Sequence, residues 1–299
     1  MLKNVQLLSP SHWPDYALID SGGYEKLERF GRYVLRRPEP QAVWRKALSD
    51  KEWERKTDAW FKKEKGKNGA DGSEKGEWIL SPKMPQQWFV SYVYKEMKLR
   101  FRLGLTAFKH VGIFPEQAVN WNYIYDAVRN IQSPKILNLF AYTGGASLAA
   151  KAAGADVTHV DSVRQVLSWS RENMEASQLD NIRWVCEDAL KFVKREVKRG
   201  NRYHGIILDP PSYGRGPEGE KWILEDQVTE LMEACSQLLD PESSFCILNL
   251  YSMGFSSLIA DNLLRDYFPN CPETGFGELF LPDEAGRRLA LSVFARFFY

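Results

Sequence analysis

The sequence predicts a doubly wound α/β domain that ends in an antiparallel hairpin and follows a small β-rich domain. The first observation is an alternation of strand-like and helix-like segments that begins at Val119. The second is a pair of strand-like segments at the end of the chain, which a doubly wound sheet does not require. The third is that residues 1–118 lack this alternation. We therefore expect a β-rich domain over residues 1–118 and the α/β domain over residues 119–299.

Apolar runs between turn residues define the predicted elements of the α/β domain. Five short apolar runs predict the strands of a parallel sheet, at residues 135–140, 156–161, 182–186, 205–208 and 244–250. Segments between them predict helices, at residues 146–153, 162–177, 189–200 and 221–239. Two further strands are predicted on either side of a Pro-Asp-Glu-Ala-Gly turn, at residues 278–281 and 288–298.

Turn signals and alternating side chains define the elements predicted before residue 119. A helix is predicted over residues 41–63, because Trp53 and Trp60 are seven residues apart and would share one face. Residues 65–75 combine glycine, asparagine and charge without periodicity, which predicts a loop. Strands are predicted at residues 16–20 and 32–37, and a hairpin is predicted at residues 87–94 and 98–105.

The composition is that of a globular protein without a membrane span. Of the 299 residues, 44% are hydrophobic and 26% are charged, and no apolar run is long enough to cross a bilayer. The N-terminal residues lack the apolar core of a signal peptide. The four cysteines form no CxxC pair, so neither a zinc site nor a disulfide framework is indicated. We expect a cytoplasmic protein with free thiols and no metal.

Positive charge is concentrated in one segment near the N-terminus. The net charge is +1, but residues 24–67 contain 14 Lys or Arg and 8 Asp or Glu, so that this segment carries +6 and the rest carries −5. Such asymmetry predicts either a surface that faces a polyanion or a solvated surface without a partner.

A glycine turn after the first predicted strand of the sheet is the first sign of a ligand site. The sequence LNLFAYTGGA over residues 137–146 runs from an apolar strand through Gly144 and Gly145 into a helix. Glycine lets the backbone approach a ligand closely, and the helix N-terminus offers free N–H groups to a carboxylate. This arrangement suits the methionine end of S-adenosylmethionine, although an ordinary strand–helix turn would have the same pattern. The GxGxxG pattern of dinucleotide-binding proteins is missing.

Acidic residues follow three further strands of the predicted sheet. Asp161 ends the second strand, where a carboxylate can accept hydrogen bonds from both ribose hydroxyls. Asp188 follows the third, where it could accept from an adenine amino group. A helix cap is the alternative role for both residues. Asp209 opens the sequence Asp-Pro-Pro-Ser-Tyr after the fourth strand, in which two prolines stiffen the turn. All three positions fall at the edge of the sheet where α/β proteins bind ligands.

These motifs resemble those of class I S-adenosylmethionine-dependent methyltransferases, which have a Rossmann-like sheet with an antiparallel last strand. The similarity is to the 23S ribosomal RNA (cytosine-C5) methyltransferase I group and its uncharacterised relatives. It rests on ILNLFAYTGGAS, HVDSV, CEDALKF and ILDPPSYGRGPEGE, and on KHVGIFPEQ before them. It covers about residues 105–260. The resemblance implies an enzyme that uses S-adenosylmethionine to methylate RNA, with ribosomal RNA as the expected substrate.

The resemblance also implies which residues form the site. Asp161 would bind the ribose, Asp188 the adenine, and Asp209 would lie beside the methyl-transfer centre. Asp209 and Pro210 would hold an amino acceptor by its hydrogens, while Tyr213 would stack on a base or pack inside the protein. The other expected cofactor contacts belong to the same motifs: Phe114, Gln117, Asn138, Phe140, Tyr142, Thr143, Gly144, Ser162 and Ala189.

The sequence departs from this group in two respects. Members usually begin with an RNA-binding PUA domain, which residues 1–118 do not resemble. C5 enzymes also place a nucleophilic cysteine after the fifth strand, and the aligned position here is Ser252. A cysteine thiolate is needed because cytosine C5 is a poor nucleophile. The sequence therefore favours a nitrogen or oxygen acceptor over cytosine C5.

Several questions stay open from the sequence. The substrate could instead be a protein or a small molecule, because the fold does not fix it. The domain could be inert and serve an RNA-binding or assembly factor, and an NAD-dependent oxidoreductase is a third alternative. We expect a monomer or homodimer that docks RNA through the positively charged segment, with its lysines at positions 62, 63, 65 and 67.

Overall fold

The structure is a computed structural model that describes residues 4–10, 12–64, 75–251 and 255–299. Its strands in chain order are β1 (Gln6–Leu8), β2 (Tyr16–Gly22), β3 (Glu25–Phe30), β4 (Tyr33–Pro38), β5 (Ala59–Lys63), β6 (Gly76–Leu80), β7 (Gln87–Tyr94), β8 (Met97–Gly104), β9 (Lys135–Leu139), β10 (Asp156–Asp161), β11 (Ile182–Cys186), β12 (Gly205–Leu208), β13 (Tyr213–Arg215), β14 (Lys221–Ile223), β15 (Phe245–Leu250), β16 (Gly275–Pro282) and β17 (Arg288–Phe298). Its helices are α1 (Asp50–Lys56), α2 (Ala118–Arg129), α3 (Gly145–Ala152), α4 (Arg164–Ala176), α5 (Ala189–Lys198), α6 (Leu224–Ser236) and α7 (Ser257–Tyr267), and a single 3₁₀ turn covers Pro115–Gln117.

A large sheet of eight strands forms the centre of the α/β domain. Its strand order is β1-β16-β17-β15-β12-β9-β10-β11. The strands from β15 to β11 are parallel, whereas β17 runs antiparallel between β15 and β16. The strand order reverses beside β9, which pairs with β10 on one side and β12 on the other. The predicted doubly wound sheet with an antiparallel terminal hairpin is therefore confirmed.

Both faces of the sheet are buried, which explains why its strands are continuous apolar runs. On one face, α2 and α3 pack against the sheet, and the β7–β8 hairpin covers them. Trp121 of α2 is central to this layer, with its ring 5.5 Å from Tyr92 and 5.1 Å from Phe101 between centroids. On the other face, α5, α6 and α7 share a second core.

The N-terminal region forms a sheet of five strands in the order β2-β3-β4-β5-β6, and the β7–β8 hairpin follows it.

The predicted helix over residues 41–63 is wrong. Only α1 is helical there, and β5 follows directly. Ser49 caps α1 through a capping box, and the helix ends at Lys56 because Thr57 has extended backbone dihedral angles. Trp53 is buried in a small core, while Trp60 lies on β5. The spacing of the two tryptophans is therefore not a helical face.

Other predicted elements also need correction. The strand β3 lies between the strands predicted at residues 16–20 and 32–37 and was not expected, and neither were α2 and α7. The predicted helix over residues 221–239 starts late, because β14 precedes α6 and pairs with β13. The predicted loop over residues 65–75 lies outside the described residues except for its last residue.

One salt-bridge cluster ties the N-terminal sheet to the terminal hairpin. Arg287, in the turn between β16 and β17, pairs with Asp283 at 2.8 Å and with the buried Asp20 of β2. The Ser21 hydroxyl also donates to the Asp283 carboxylate at 2.9 Å. In addition, β1 joins the large sheet by pairing with β16. The first and last parts of the chain are thus packed together, and the boundary at residue 118 stays a prediction.

Within the described residues, no helix combines the length and the apolar character needed to cross a membrane.

Candidate cofactor and substrate site

A cleft opens at the carboxyl ends of β9, β12 and β15, at the point where the strand order of the sheet reverses. It encloses about 550 Å³, including space open to solvent. Parallel α/β sheets bind ligands at this position. The location of the cleft therefore makes it the candidate ligand site.

The turn after β9 forms one wall of the cleft with an unusual backbone. Phe140 and Tyr142 have φ angles of 54° and 47°, and Gly144 has a φ of 94°. Non-glycine residues in this left-handed region are uncommon, and the surrounding structure must hold them there. The Ser170 hydroxyl donates to the Tyr142 carbonyl at 2.7 Å, and the Asn173 amide donates to the Thr143 carbonyl at 3.0 Å. The turn leads directly into α3, whose first residues line the cleft.

Asp161 supports this turn from the end of β10. Its carboxylate accepts hydrogen bonds from the backbone N–H groups of Tyr142 and Val163, each at 2.9 Å. Burial raises the pKa of Asp161 to about 6, and those two hydrogen bonds oppose the rise. Asp161 and Ser162 are half-buried and lie beside the cleft lining, not in it. The structure thus gives Asp161 a positioning role for the turn.

Asp188 has the helix-capping role that the sequence offered as an alternative. Its carboxylate accepts from the backbone N–H of Lys191 at 2.9 Å, at the N-terminus of α5. Ala189 is the first residue of that helix and is buried. Neither residue belongs to the cleft lining. Both lie next to β11, at the same edge of the sheet as the cleft.

Asp209 lies on the floor of the cleft, immediately after β12. Burial raises the pKa of its carboxyl to about 7, and the nearby Glu116 carboxylate also raises it. The Asn249 side-chain amide donates to Asp209 at 2.8 Å and opposes this effect. Asp209 therefore changes its charge near neutral pH, which is a property of many catalytic acids and bases.

The prolines after Asp209 form a fixed turn. Pro210 is buried, and the Trp222 indole donates to the Pro211 carbonyl at 2.7 Å. The Trp222 ring also contacts Phe140 across the cleft wall, with 4.8 Å between centroids. Tyr213 lies on β13, where it is 51% exposed and outside the cleft lining.

An aromatic and polar wall closes the cleft opposite the turn. The Phe114 ring lies 5.3 Å from Tyr142 and 5.4 Å from Tyr251 between centroids. The Tyr251 hydroxyl donates to Glu116 at 2.9 Å and accepts from the Gln117 amide at 3.0 Å. Glu116 is 2% exposed, and its burial raises its pKa. A buried network of hydrogen bonds therefore holds this wall in place.

The cleft brings together most of the predicted site residues. Those that line it are Phe114, Gln117, Asn138, Phe140, Tyr142, Thr143, Gly144 and Asp209. Those that lie outside its lining are Pro210, Tyr213, Asp161, Ser162, Asp188 and Ala189. Ser252 lies outside the described residues.

Three polar or aromatic residues of the lining were missed by the sequence analysis. Asn249 is a polar residue inside the apolar run of β15, as Asn138 is in β9, and this shared pattern could have revealed it. Asn120 lies three residues after Gln117 and belongs to none of the motifs. Its side-chain amide donates a hydrogen bond to Gln117 at 2.8 Å. Trp121 packs so closely on Gly145 that a Cβ there would lie 2.6 Å from its ring. This contact explains the second glycine of the pair.

These residues fit S-adenosylmethionine, the cofactor that the sequence motifs imply. The helix N-terminus of α3 and the left-handed turn suit a carboxylate, as expected for the methionine end. Apolar side chains such as Ile113 and Ile207 line the cleft beside the amides of Asn138 and Gln117. Asp161 lies at the adjacent strand end. A small, mostly apolar cleft with a few fixed polar groups is the usual form of a cofactor site.

Comparison with known proteins agrees with this assignment. The model of the S-adenosylmethionine-dependent methyltransferase family matches residues 73–268. The crystal structure of a SAM-dependent methyltransferase from Agrobacterium tumefaciens is similar with a TM-score of 0.89 and 37% identity, over 98% of this chain and 93% of that one. A candidate SAM-dependent methyltransferase from Streptococcus mutans has a TM-score of 0.70 at 18% identity, over 96% and 76% of the two chains, and shows the same fold.

Two curated relatives are ribosomal RNA methyltransferases. The ribosomal RNA large subunit methyltransferase K/L of Shewanella frigidimarina is 27% identical over 164 residues, which are 54% of this chain and 22% of that protein. The ribosomal RNA large subunit methyltransferase I of Salmonella arizonae is 34% identical over 88 residues, which are 28% of this chain and 22% of that protein. The chain thus spans about a fifth of the length of the curated relatives it matches. The resemblance found in the sequence motifs is confirmed by the family match over most of the chain, and the protein belongs to the S-adenosylmethionine-dependent methyltransferase family.

Proposed function

We propose that this protein methylates RNA, with ribosomal RNA as the substrate and a nitrogen or oxygen atom as the acceptor. Two curated relatives that act on ribosomal RNA by name support the substrate class. The observation that carries the proposal is the environment of Asp209, a cleft carboxyl with a pKa of about 7 that receives a hydrogen bond from Asn249. A substrate of this kind would place the protein in the cytoplasm. We also propose that it is a monomer or homodimer.

The chemistry that Asp209 supports is deprotonation of an acceptor. S-adenosylmethionine supplies a methyl group on a positively charged sulfur, which any well-placed nucleophile can attack. The Asp209 carboxylate would accept a hydrogen bond from an amino or hydroxyl group. It would take the proton of that group as the acceptor atom bonds to the methyl carbon, while the bond from this carbon to sulfur breaks and S-adenosylhomocysteine leaves. Asn249 orients the carboxylate, and the rigid turn at Pro210 fixes its position and offers a carbonyl for a second amino hydrogen.

The surroundings of the cysteines favour nitrogen or oxygen over cytosine C5. Cys235 and Cys246 are buried, and desolvation raises the pKa of both thiols. Cys186 donates weakly to the Ser162 carbonyl at 3.7 Å, and Cys271 precedes β16. Among the described residues, no cysteine lines the cleft. A C5 enzyme needs an accessible thiolate beside the base.

We assign the remaining predicted residues to cofactor binding. Phe114, Gln117 and the turn from Phe140 to Gly144 would enclose the methionine end and the adenosine. Asp161 would bind the ribose while it holds the turn. Asp188, with Ser162 and Ala189 beside it, would accept from the adenine amino group. Tyr213 would stack on a substrate base from its exposed position on β13.

The positively charged N-terminal segment is the proposed docking region for RNA. Lys62 and Lys63 lie on β5, and the Lys62 ammonium contacts the Trp60 ring at 4.2 Å from its centroid. Lys65 and Lys67 lie outside the described residues. Basic side chains beside an aromatic ring are common in surfaces that bind single-stranded nucleic acid.

Methyl transfer to RNA from a deletion strain tests this proposal. The purified protein is incubated with S-adenosylmethionine that carries a labelled methyl group, and with ribosomal RNA from cells that lack the protein. We expect label in one nucleoside, identified by mass spectrometry, and no label with the Asp209→Asn variant. RNA from wild-type cells should accept little label, because its site is already methylated.

Other outcomes would assign a different function. Label in a protein or small-molecule fraction would show that the substrate is a protein or a small molecule and not RNA. If the wild-type protein binds RNA but methylates none of the fractions, it would be an inert RNA-binding or assembly factor. The family membership leaves no support for the NAD-dependent oxidoreductase alternative.

A further inference from the structure

The outer surface of the β7–β8 hairpin combines exposed apolar and basic side chains. The strands are antiparallel, and their inner side chains pack against α2 and α3. Their outer side chains form three cross-strand pairs: Phe89 with Arg102, Ser91 with Arg100, and Val93 with Lys98. Phe89 is 45% exposed and Val93 is 59% exposed. We call these six residues the basic hairpin face.

Two of the three basic side chains of the basic hairpin face have no salt-bridge partner among the described residues. Residues 87–104 contain four basic residues and one acidic residue, so the hairpin carries +3 in a chain whose net charge is +1. Arg102 pairs with Glu172, and Lys95 in the turn pairs with Asp126. Lys98 and Arg100 form no salt bridge with any residue in the described part of the chain. The Arg100 guanidinium lies 4.6 Å from the centroid of the Phe89 ring.

One end of the basic hairpin face is joined to the wall of the cleft. The Arg102 guanidinium lies 4.4 Å from the centroid of the Trp169 ring, and the Trp169 indole donates to the Arg102 carbonyl at 2.7 Å. Trp169 packs on Gly112 so closely that a Cβ there would lie 2.4 Å from the ring. The Gly112 carbonyl accepts the Thr143 hydroxyl, and Thr143 lines the cleft. The stripe from Lys98 to Arg102 therefore leads towards the site.

We propose that the basic hairpin face binds a single-stranded stretch of the RNA whose target nucleotide enters the cleft. This inference rests on the proposed function and names a surface for its substrate. Alternate residues of a strand lie about 6.8 Å apart, so Lys98 and Arg100 can contact separate phosphates. Phe89 presents an exposed ring on which an unpaired base stacks. The face contains three basic side chains and no acidic one, which fits a polyanion such as RNA.

The test compares RNA binding by two variants with a matched control. The full chain is titrated against a fluorescent 20-nucleotide single-stranded RNA of mixed sequence, at several salt concentrations. The double variant Lys98→Ala/Arg100→Ala should lower the slope of log affinity against log salt by about 1.4, at ~0.7 per phosphate contact. Phe89→Leu should weaken binding by about 5- to 100-fold through lost stacking, while Phe89→Tyr should bind as wild type does. Lys194→Ala/Lys198→Ala removes two charges from α5, on the opposite face of the sheet, and should leave the slope unchanged.

Two measurements separate failure of this inference from failure of the proposed function. All variants should bind S-adenosylmethionine as wild type does, because the substituted side chains are exposed and outside the cleft. If wild type binds and methylates RNA but the hairpin variants match it in affinity and salt slope, the face serves another partner or none, and the inference is wrong. If wild type neither binds nor methylates any RNA, the proposed function is wrong and the hairpin inference falls with it.

Discussion

The Asn249 side-chain amide donates a hydrogen bond to the Asp209 carboxyl at 2.8 Å and so joins the ends of two adjacent strands, β15 and β12, on the floor of the cleft. The Ser292 hydroxyl of β17 donates to the Asn249 carbonyl oxygen at 3.3 Å, which fixes the direction of the amide. The hydrogen bond stabilises the charged form of Asp209, whereas burial and the neighbouring Glu116 disfavour it. The pKa of about 7 is the balance of these opposing effects, so the loss of any one of them should shift the pKa of Asp209.

Methylation should therefore depend on pH through Asp209. If its carboxylate takes the acceptor proton, kcat/KM should rise as pH increases through about 7 and then level off. Asn249→Ala should move this rise to higher pH, because the variant loses the hydrogen bond that lowers the pKa. Glu116→Gln should move it to lower pH, because a neighbouring negative charge is removed. Initial rates at limiting RNA between pH 5.5 and 9 measure both shifts. A profile that is flat over this range in wild type would exclude Asp209 as the proton acceptor.

The same pKa predicts that Asp209 destabilises the folded protein. Its pKa is about 7 when folded and near 3.8 when unfolded, so the destabilisation grows as pH rises from about 4 and is complete above 7. Asp209→Asn should then be more stable than wild type at pH 9 by about 2–4 kcal/mol, a range that allows for the partial exposure of Asp209. The difference should vanish near pH 4.

Urea unfolding at pH 4, 7 and 9 measures this dependence. Asp226→Asn, an exposed substitution in the first turn of α6, is the control and should show little change with pH. Equal stabilities of wild type and Asp209→Asn at pH 9 would show that Asp209 is not desolvated.

Asp161 is expected to contribute to cofactor binding in two ways, through the ribose and through the turn. Asp161→Ala should weaken S-adenosylmethionine binding by about 1.5–3 kcal/mol for each charged hydrogen bond lost, as measured by calorimetry. Asp188→Ala, which removes the proposed adenine contact, is the comparison and should also weaken cofactor binding. Because Asp188 caps α5, its loss should in addition lower stability by about 1 kcal/mol.

A 2′-deoxy analogue of the cofactor product separates the two contributions of Asp161. If Asp161 contacts the ribose hydroxyl, the variant should bind this analogue and the parent compound with more similar affinities than wild type does. Identical discrimination in the variant and in wild type would leave Asp161 with only its observed role, the support of the turn at Tyr142.

The strands of the parallel sheet could be predicted from the sequence because both of their faces are buried. Such strands are continuous apolar runs between turn residues, and β10, β11 and β12 were predicted with the bounds that the structure has. The same rule fails for β3, whose sequence is EKLERF. Its Glu28 is buried although charged, because the Arg37 guanidinium pairs with it. A buried ion pair removes the apolar pattern on which strand prediction depends.

Site residues could be predicted from the sequence where they belong to local motifs. Residues that the tertiary structure brings in from other elements could not. The turn after β9 and Asp209 lie next to apolar strands, and their motifs are local. Trp121 and Asn249 reach the cleft from a separate helix and from another strand, and only the tertiary structure shows that they meet there. Local motifs also do not show the direction of a side chain. Asp188 points into its own helix N-terminus, a choice that the sequence left open.

Arg287 should contribute strongly to stability because it joins the terminal hairpin to the N-terminal sheet. Arg287→Ala leaves the buried carboxylates of Asp20 and Asp283 without their shared cation. We expect a loss of about 2–4 kcal/mol, slightly less than for a fully buried pair because Arg287 is 27% exposed. Urea unfolding measures the loss. The neighbouring exposed Arg288→Ala is the control, and a loss as small as that of the control would show that the cluster adds no net stability.

The acceptor atom can be tested through the cysteines. A C5 mechanism requires a thiolate that adds to the cytosine ring, whereas the described cleft is lined by one carboxyl, three asparagine amides and one glutamine amide, and by no thiol. A protein with all four cysteines replaced by alanine should therefore keep its methyltransferase activity if it folds. Its stability should fall, because Cys235 and Cys246 are fully buried. Each single Cys→Ala variant serves as a control for folding. RNA that contains 5-fluorocytosine should form no covalent adduct with wild type on a denaturing gel. An adduct that disappears when one cysteine is removed would assign the reaction to C5 and contradict the role proposed for Asp209.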